Sequence, residues 1–200
     1  MRSDVYKMIT RNLSVSDAEK IFDAFKSVSV SRGQENAPDY GFYDYPLTQE
    51  DFKLRLHDSR LSIALEDGKD RRLAAYILAY PFNQVGDMDV EHDVVLANVC
   101  ASASAIYLDQ LFIRPGLPLF IVGRLFDVWT QLAQGYTSEG IVAAAPQKPW
   151  KNIASTRFAL SHGFSRKGNV KSGNLELGVF AKPFWQLGDE AKDIKLEFRN

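Results

Sequence analysis

With 200 residues, 46% of them apolar, the chain is long enough for one domain with a substantial core. Its 24 basic residues nearly cancel 25 acidic ones, so net charge offers no case for nucleic acid or an anionic membrane. Cys100 is the only cysteine, which excludes an intrachain disulfide and suits a reducing, cytoplasmic setting. The start, MRSDVYKMITRNLS, has no apolar signal core, and no window approaches the length of a membrane span.

Val5 to Asn12 predicts a first strand. Ser14 with Asp17 resembles a capping box, after which Ala18, Ile21, Phe22, Phe25 and Val28 recur at helical spacing. The turn-forming stretch SRGQENAPDYGFYDYP then reads as a long loop. Thr48 and Asp51 open a second helix that ends near Asp58, with Leu47 and Phe52 placed as a hydrophobic staple. Leu61 to Leu65 and Arg72 to Tyr80 are strand-like runs joined through Asp67-Gly68, a hairpin signal. The second run, RLAAYILAY, is almost wholly apolar, as expected of a strand covered on both faces. Between Pro81 and Ser104 lie Asp87, Asp89, Glu91, His92 and Asp93, whose spacing matches no metal-ligand pattern; a solvated acidic loop is expected there. Cys100 reads as a small buried residue.

Ile106 to Ile113 predicts a strand whose partial alternation is interrupted at Asp109-Gln110. Pro115-Gly116 supplies a turn, and Pro118 sits where the first turn of a helix tolerates proline. Leu119, Val122, Leu125, Phe126, Trp129, Leu132 and Ala133 share a broad face, so this helix is expected to be buried along most of its length. A strand running through a tight turn into a helix leaves backbone N–H groups open at the helix start, which suits an anion such as phosphate. Ile141 to Ala145 predicts a short buried strand, and Pro146 to Trp150 a loop. Asn152 then caps a helix that carries Phe158 toward the core and His162 at its surface end, and that stops at Gly163. A strand follows Gly163, and Lys171 to Lys182 gives the last one, with Leu175, Leu177 and Val179 alternating. Phe180, Phe184 and Trp185 are expected as a contact in a homodimer. Residues 1–185 thus read as one domain and residues 186–200 as a C-terminal tail.

This order of elements is an α+β (or α/β) pattern with a mixed sheet. On two stretches the chain resembles the GCN5-related N-acetyltransferase (GNAT) superfamily. Leu111-Phe112-Ile113-Arg114-Pro115 running into Gly123 looks like the family's central strand and pyrophosphate loop, and Asn152 through Gly163-Phe164 is similar to its late "N…A…GF" helix. The resemblance implies a V-shaped opening between two central strands of a GNAT-like mixed sheet flanked by helices. It implies acetyl-CoA as co-substrate, with pantetheine along Leu111, Phe112 and Ile113 and in contact with Asn152. Its pyrophosphate would lie near Gly123, with Arg124 supplying charge. Direct transfer to an amine, of a small molecule or a peptide, would follow. Tyr107 and Asp109, on one face of the central strand, are the catalytic candidates, and Tyr40, Tyr43 and Tyr45 are placed to line the acceptor site. The sequence departs from the family twice. Of the loop glycines only Gly123 stands, Leu119, Phe120 and Ile121 taking up the space, and Ala159 stands where a proton-donating tyrosine is common. Those departures fit a second expectation equally, a catalytically inactive GNAT-like binding or regulatory module.

Overall fold

A computed structural model of the protein describes residues 8–30, 41–43, 46–57, 59–87, 104–137 and 139–184. In chain order its elements are β1 (Met8–Asn12), α1 (Ala18–Ser27), β2 (Ser29–Val30), β3 (Phe42–Tyr43), α2 (Gln49–Arg55), β4 (Ile63–Asp67), β5 (Leu73–Pro81), β6 (Ile106–Ile113), α3 (Leu119–Tyr136), β7 (Gly140–Lys148), α4 (Ile153–Ser161), β8 (Ser165–Ser172) and β9 (Leu175–Pro183). Seven strands form one mixed sheet in the order β1-β4-β5-β6-β7-β9-β8, and β2 and β3 form a small parallel pair beside it. All neighbours in the large sheet are antiparallel except β6 and β7. That pair is joined by α3, the helical crossover that a parallel connection needs.

Each face of the sheet is covered for a reason visible in the side chains. Leu125, Phe126, Trp129 and Ala133 of α3 pack with Ile63, Ile77, Ile106, Leu108 and Ile141 on one face. The indole of Trp129, fully buried, donates its N–H to the carbonyl of Leu61 at 2.7 Å, so its one polar atom is satisfied. On the other face Ala18, Ile21 and Phe25 of α1 and Phe52 of α2 meet Ala64, Tyr76, Leu78 and Phe112. Both predicted capping boxes, Ser14 with Asp17 and Thr48 with Asp51, are formed, and Leu47 and Phe52 share the same buried cluster. Every residue of β5 is buried, as its unbroken apolar run requires.

The structure corrects several boundaries. The second helix ends at Arg55, and β7 runs on through Pro146 to Lys148 because β9 continues to pair with it. Lys171 and Ser172 belong to β8, and the chain turns at Gly173, whose positive φ a side chain would strain. The β2–β3 pair falls inside what reads as pure loop; two-residue strands leave no periodicity to detect. Phe180 is buried in the core, which takes it out of the expected homodimer contact, and Phe184 packs half-buried against the same cluster. Trp185 and the 186–200 tail, like Asp89, Glu91, His92, Asp93 and Cys100, lie outside the described residues. Among the described residues no helix is long and apolar enough to cross a membrane, and no cluster of acidic, histidine and cysteine side chains suits a metal.

At the β1 edge, the buried carboxylate of Glu66 gathers three cations. Arg11 and Lys20 each reach Oε1 at 2.7 Å, and Arg71 Nε lies 2.9 Å from Oε2. Hydrogen bonding from Arg11 is the main reason the Glu66 pKa falls from 4.5 to about 2, against the opposing effect of burial. A carboxylate whose pKa is depressed by folding stabilises the fold fully above its ordinary range, and that contribution fades as pH falls toward the folded value. Glu66→Gln is therefore expected to lower unfolding free energy by about 2 kcal/mol at pH 7. In urea titrations the gap from the parent chain should narrow steadily between pH 4.5 and 2. A gap that is constant with pH would assign the loss to packing instead.

Candidate active site

β6 and β7 pair only at Ile106, Tyr107 and Leu108 against Ile141, Val142 and Ala143. Beyond Leu108 the two strands separate. On the β5 side, Leu78 pairs with Gln110 and Ala79 with Leu108, so Asp109 is the extra residue of a β-bulge. The bulge explains the interrupted alternation. Ile106 and Leu108 face the α3 side, yet after the bulge it is Leu111 that joins that cluster, while Phe112 packs with Tyr76 on the α1 side.

The gap between the strands is a cavity of about 620 Å³ that passes through the sheet, within the usual range of small-molecule sites. One wall is β6 from Leu108 to Ile113, and the opposite wall is β7, whose Ala143, Ala144 and Ala145 keep it wide. Toward α3 and α4 it is bordered by Val122, Gly123, Phe158 and Ala159, and toward α1 by Val28, Gly41 and Phe42. A Cβ on Gly123 would meet nothing within 4 Å, so this glycine borders open space.

The predicted donor residues converge on this gap, with one exception. Leu111, Phe112, Ile113, Gly123 and Asn152 all line it. Arg124 is exposed on α3 and does not. Asn152 is buried and its carboxamide serves two partners: Oδ1 accepts from the Ser155 N–H at 2.8 Å, capping α4, and Nδ2 donates to the Gly41 carbonyl at 2.7 Å. The second bond ties the segment 41–43 across the mouth of the cavity. Gly41 is fixed there by necessity, because its φ is +112° and a Cβ would stand 2.4 Å from the Val28 carbonyl oxygen. Phe42 stacks on Phe25 at 5.5 Å and donates its N–H to Val28. Of the expected acceptor tyrosines, Tyr43 has its backbone paired with Val30 beside this mouth, and Tyr40 and Tyr45 lie outside the described residues.

The two catalytic candidates part company. Asp109 lines the cavity, and its Oδ2 accepts from Arg55 Nε at 3.0 Å and from the Tyr80 hydroxyl at 3.1 Å. Tyr107 is buried, with its ring edge-on to Tyr80 and Phe82 and no share in the cavity wall. Both meet Tyr80, one through its hydroxyl and the other through its ring. Beside them Tyr76 donates to Gln110 Oε1 at 2.7 Å; burial, then the Asp109 charge, push its phenol pKa well up, so it stays a donor. Arg55, Tyr80, Tyr76 and Gln110 escape a reading of the sequence. Arg55 occupies the last turn of a short amphipathic helix, where a solvent-facing arginine is the ordinary expectation. His162, expected at the surface, is half-buried, stacked on Phe158 at 4.0 Å, and lines the cavity.

Comparison with protein-family models gives no match, and neither does comparison with curated proteins. Solved structures do match, at low identity. A GNAT-family acetyltransferase from Listeria monocytogenes superposes with a TM-score of 0.54 at 16% identity, over 90% of this chain and 97% of that one. The Drosophila melanogaster polyamine N-acetyltransferase, which forms N-acetylagmatine, gives 0.60 at 11% identity, over 88% and 100%. A chain of the NatC complex bound to Gag peptide and CoA gives 0.58 at 14%, over 88% and 98%. With its seven-stranded mixed sheet and the separation of β6 from β7, this chain has the GCN5-related N-acetyltransferase fold.

Proposed function

We propose that the protein is an N-acyltransferase that takes an acyl thioester, with acetyl-CoA the simplest donor, into the gap between β6 and β7 and passes the acyl group to an amine. The cavity through the sheet carries this reading. A pantetheine arm is narrow, extended and amide-bearing. The gap offers it apolar walls of matching character and, beyond Leu108, strand edges on the gap side that β6 and β7 do not pair with each other. Ala143, Ala144 and Ala145 leave the width that bulkier residues would take away.

The amine approaches from the side of Gly41–Tyr43, opposite the donor helices α3 and α4. There the Asp109 carboxylate is the acidic group on the cavity wall, and it is held at the bulge by Arg55 and Tyr80. It attracts the ammonium form of the acceptor and takes up a proton, leaving the neutral amine to attack the thioester carbonyl. The C–N bond forms, the C–S bond breaks, and the thiolate that leaves takes a proton in exchange. Ala159 supplies no acid at the usual place, and the Tyr80 hydroxyl that donates to Asp109 serves as the route for that proton. Tyr107 acts here as support, fixing the Tyr80 ring. The missing loop glycines and Ala159 favour a second reading, a non-catalytic module that keeps the cavity for ligand sensing.

A ligand that binds only the folded chain raises the melting temperature with occupancy. Acetyl-CoA is expected to give a saturable rise with a midpoint on the order of micromolar to low millimolar, which desulfo-CoA shares and ATP does not. Ala144→Phe, which fills the gap, should abolish the rise while the folded chain's circular dichroism is retained; an undiminished rise would place the donor elsewhere. Asp109→Asn is expected to slow thiol release by about 100-fold with the donor-induced rise unchanged. Equal turnover by the variant would remove Asp109 from the chemistry, and donor binding without turnover on any amine would favour the sensing module.

A further inference from the structure

We infer that the donor is delivered by a partner: an acidic protein that carries its acyl group on a phosphopantetheine arm, docking where the cavity opens between α3 and α4. This rests on the reading of the gap as a pantetheine site and concerns what lies at the far end of the arm. Two features of that end suit a protein better than a free nucleotide.

The first is apolar. Phe120, in the first turn of α3 and one turn before the lining residue Gly123, is 70% exposed. At the start of α3 a phosphate would need bare backbone N–H groups, and the chain instead sets Leu119, Phe120 and Ile121 there, with Pro118 as an N-cap that supplies no side-chain bond. Large exposed apolar side chains gain nothing from phosphates. They gain from being covered by another apolar surface.

The second is charge. Arg157 lines the cavity and is exposed to solvent. Arg114 and Arg124 flank the opposite side of the opening, in the loop before α3 and in its second turn. None of the three forms an ion pair with another of the described residues. Arginines around an exposed Phe complement an acidic, amphipathic helix, and the cavity behind them continues the interface for the arm such a protein would present.

The test compares three probes by thermal shift and by direct binding: S-acetyl-pantetheine, acetyl-CoA, and a recombinant acidic acyl carrier protein bearing an acetyl-phosphopantetheine arm. The loaded carrier is expected to bind at least about tenfold more tightly than acetyl-CoA, and the carrier stripped of its arm about tenfold more weakly than the loaded one. Phe120→Glu should weaken carrier binding about tenfold and leave the response to S-acetyl-pantetheine as it was, while Leu160→Glu, on the face of α4 turned away from the cavity, should leave both unchanged. The inference is overturned if acetyl-CoA binds as tightly as the loaded carrier, if Phe120→Glu binds the carrier normally, or if an RNA oligonucleotide displaces it from the three arginines. Those results leave the pantetheine site standing. Failure of S-acetyl-pantetheine, acetyl-CoA and loaded carrier alike would overturn the site itself.

Discussion

The parting of β6 from β7 after three residue pairs is the constraint around which the rest is arranged. Both strands contribute to it. On β6 the extra residue at Asp109 raises the local twist and turns the strand away. On β7, Pro146 has no N–H to donate, and the register with β9 shifts between Pro146 and Lys148. Backbone groups along such a split lie inside a folded domain without a strand partner. Leaving one unsatisfied costs about 1–3 kcal/mol, so the groups along the open split take their partners from water or from a ligand in the cavity. The helices follow from this: α3 has to cross from the end of β6 to the start of β7, and its first turns therefore stand at the mouth.

The buried pair of Arg55 and Asp109 is the second feature that costs more than an apolar packing would. Both side chains are almost withdrawn from water, where desolvation offsets much of the attraction. What the pair secures is position. Arg55 Nη1 also donates to the Asp51 carbonyl within its own helix, at 3.3 Å, so the guanidinium joins α2 to the bulge of β6. The Tyr80 hydroxyl donates to the same carboxylate oxygen from β5. A carboxylate with donors from two different elements has its direction fixed before any substrate arrives, the arrangement that efficient proton transfer and electrostatic catalysis require. Removing the arginine alone would leave a buried charge uncompensated, which explains why so short a helix is anchored through an ion pair.

Much of this architecture is legible in the sequence because it rests on local rules. Capping boxes at Ser14 and Thr48, the Asp67-Gly68 hairpin, the unbroken apolar run of β5 and the N-cap at Asn152 each specify their element without help from distant residues. The interruption at Asp109-Gln110 is legible too, as a break in period, although a break says nothing of which partner strand causes it. The donor wall follows from strand and helix order. The opposite wall does not: Gly41 reaches the cavity, and Arg55 and Tyr80 reach Asp109, only through tertiary packing. Arg55 lies 54 positions from Asp109, and no periodicity couples residues so far apart. Two-residue strands such as β2 and β3 are equally silent, because their pairing is set by the walls around them.

Asn152 shows how the two walls are joined. Capping α4 takes only its carbonyl oxygen, and the amide nitrogen is left over to reach the Gly41 carbonyl 111 positions earlier in the chain. A serine or aspartate would cap the helix as well, yet neither has an amide N–H to donate to that carbonyl. The choice of asparagine therefore carries information that capping alone does not explain. One buried side chain sets the start of the donor-side helix and the position of the acceptor-side loop together. Gly41 answers it with the positive φ that lets its carbonyl face Asn152 while the next N–H pairs with Val28. The geometry thus ties the α4 side of the cavity to its α1 side through one buried side chain.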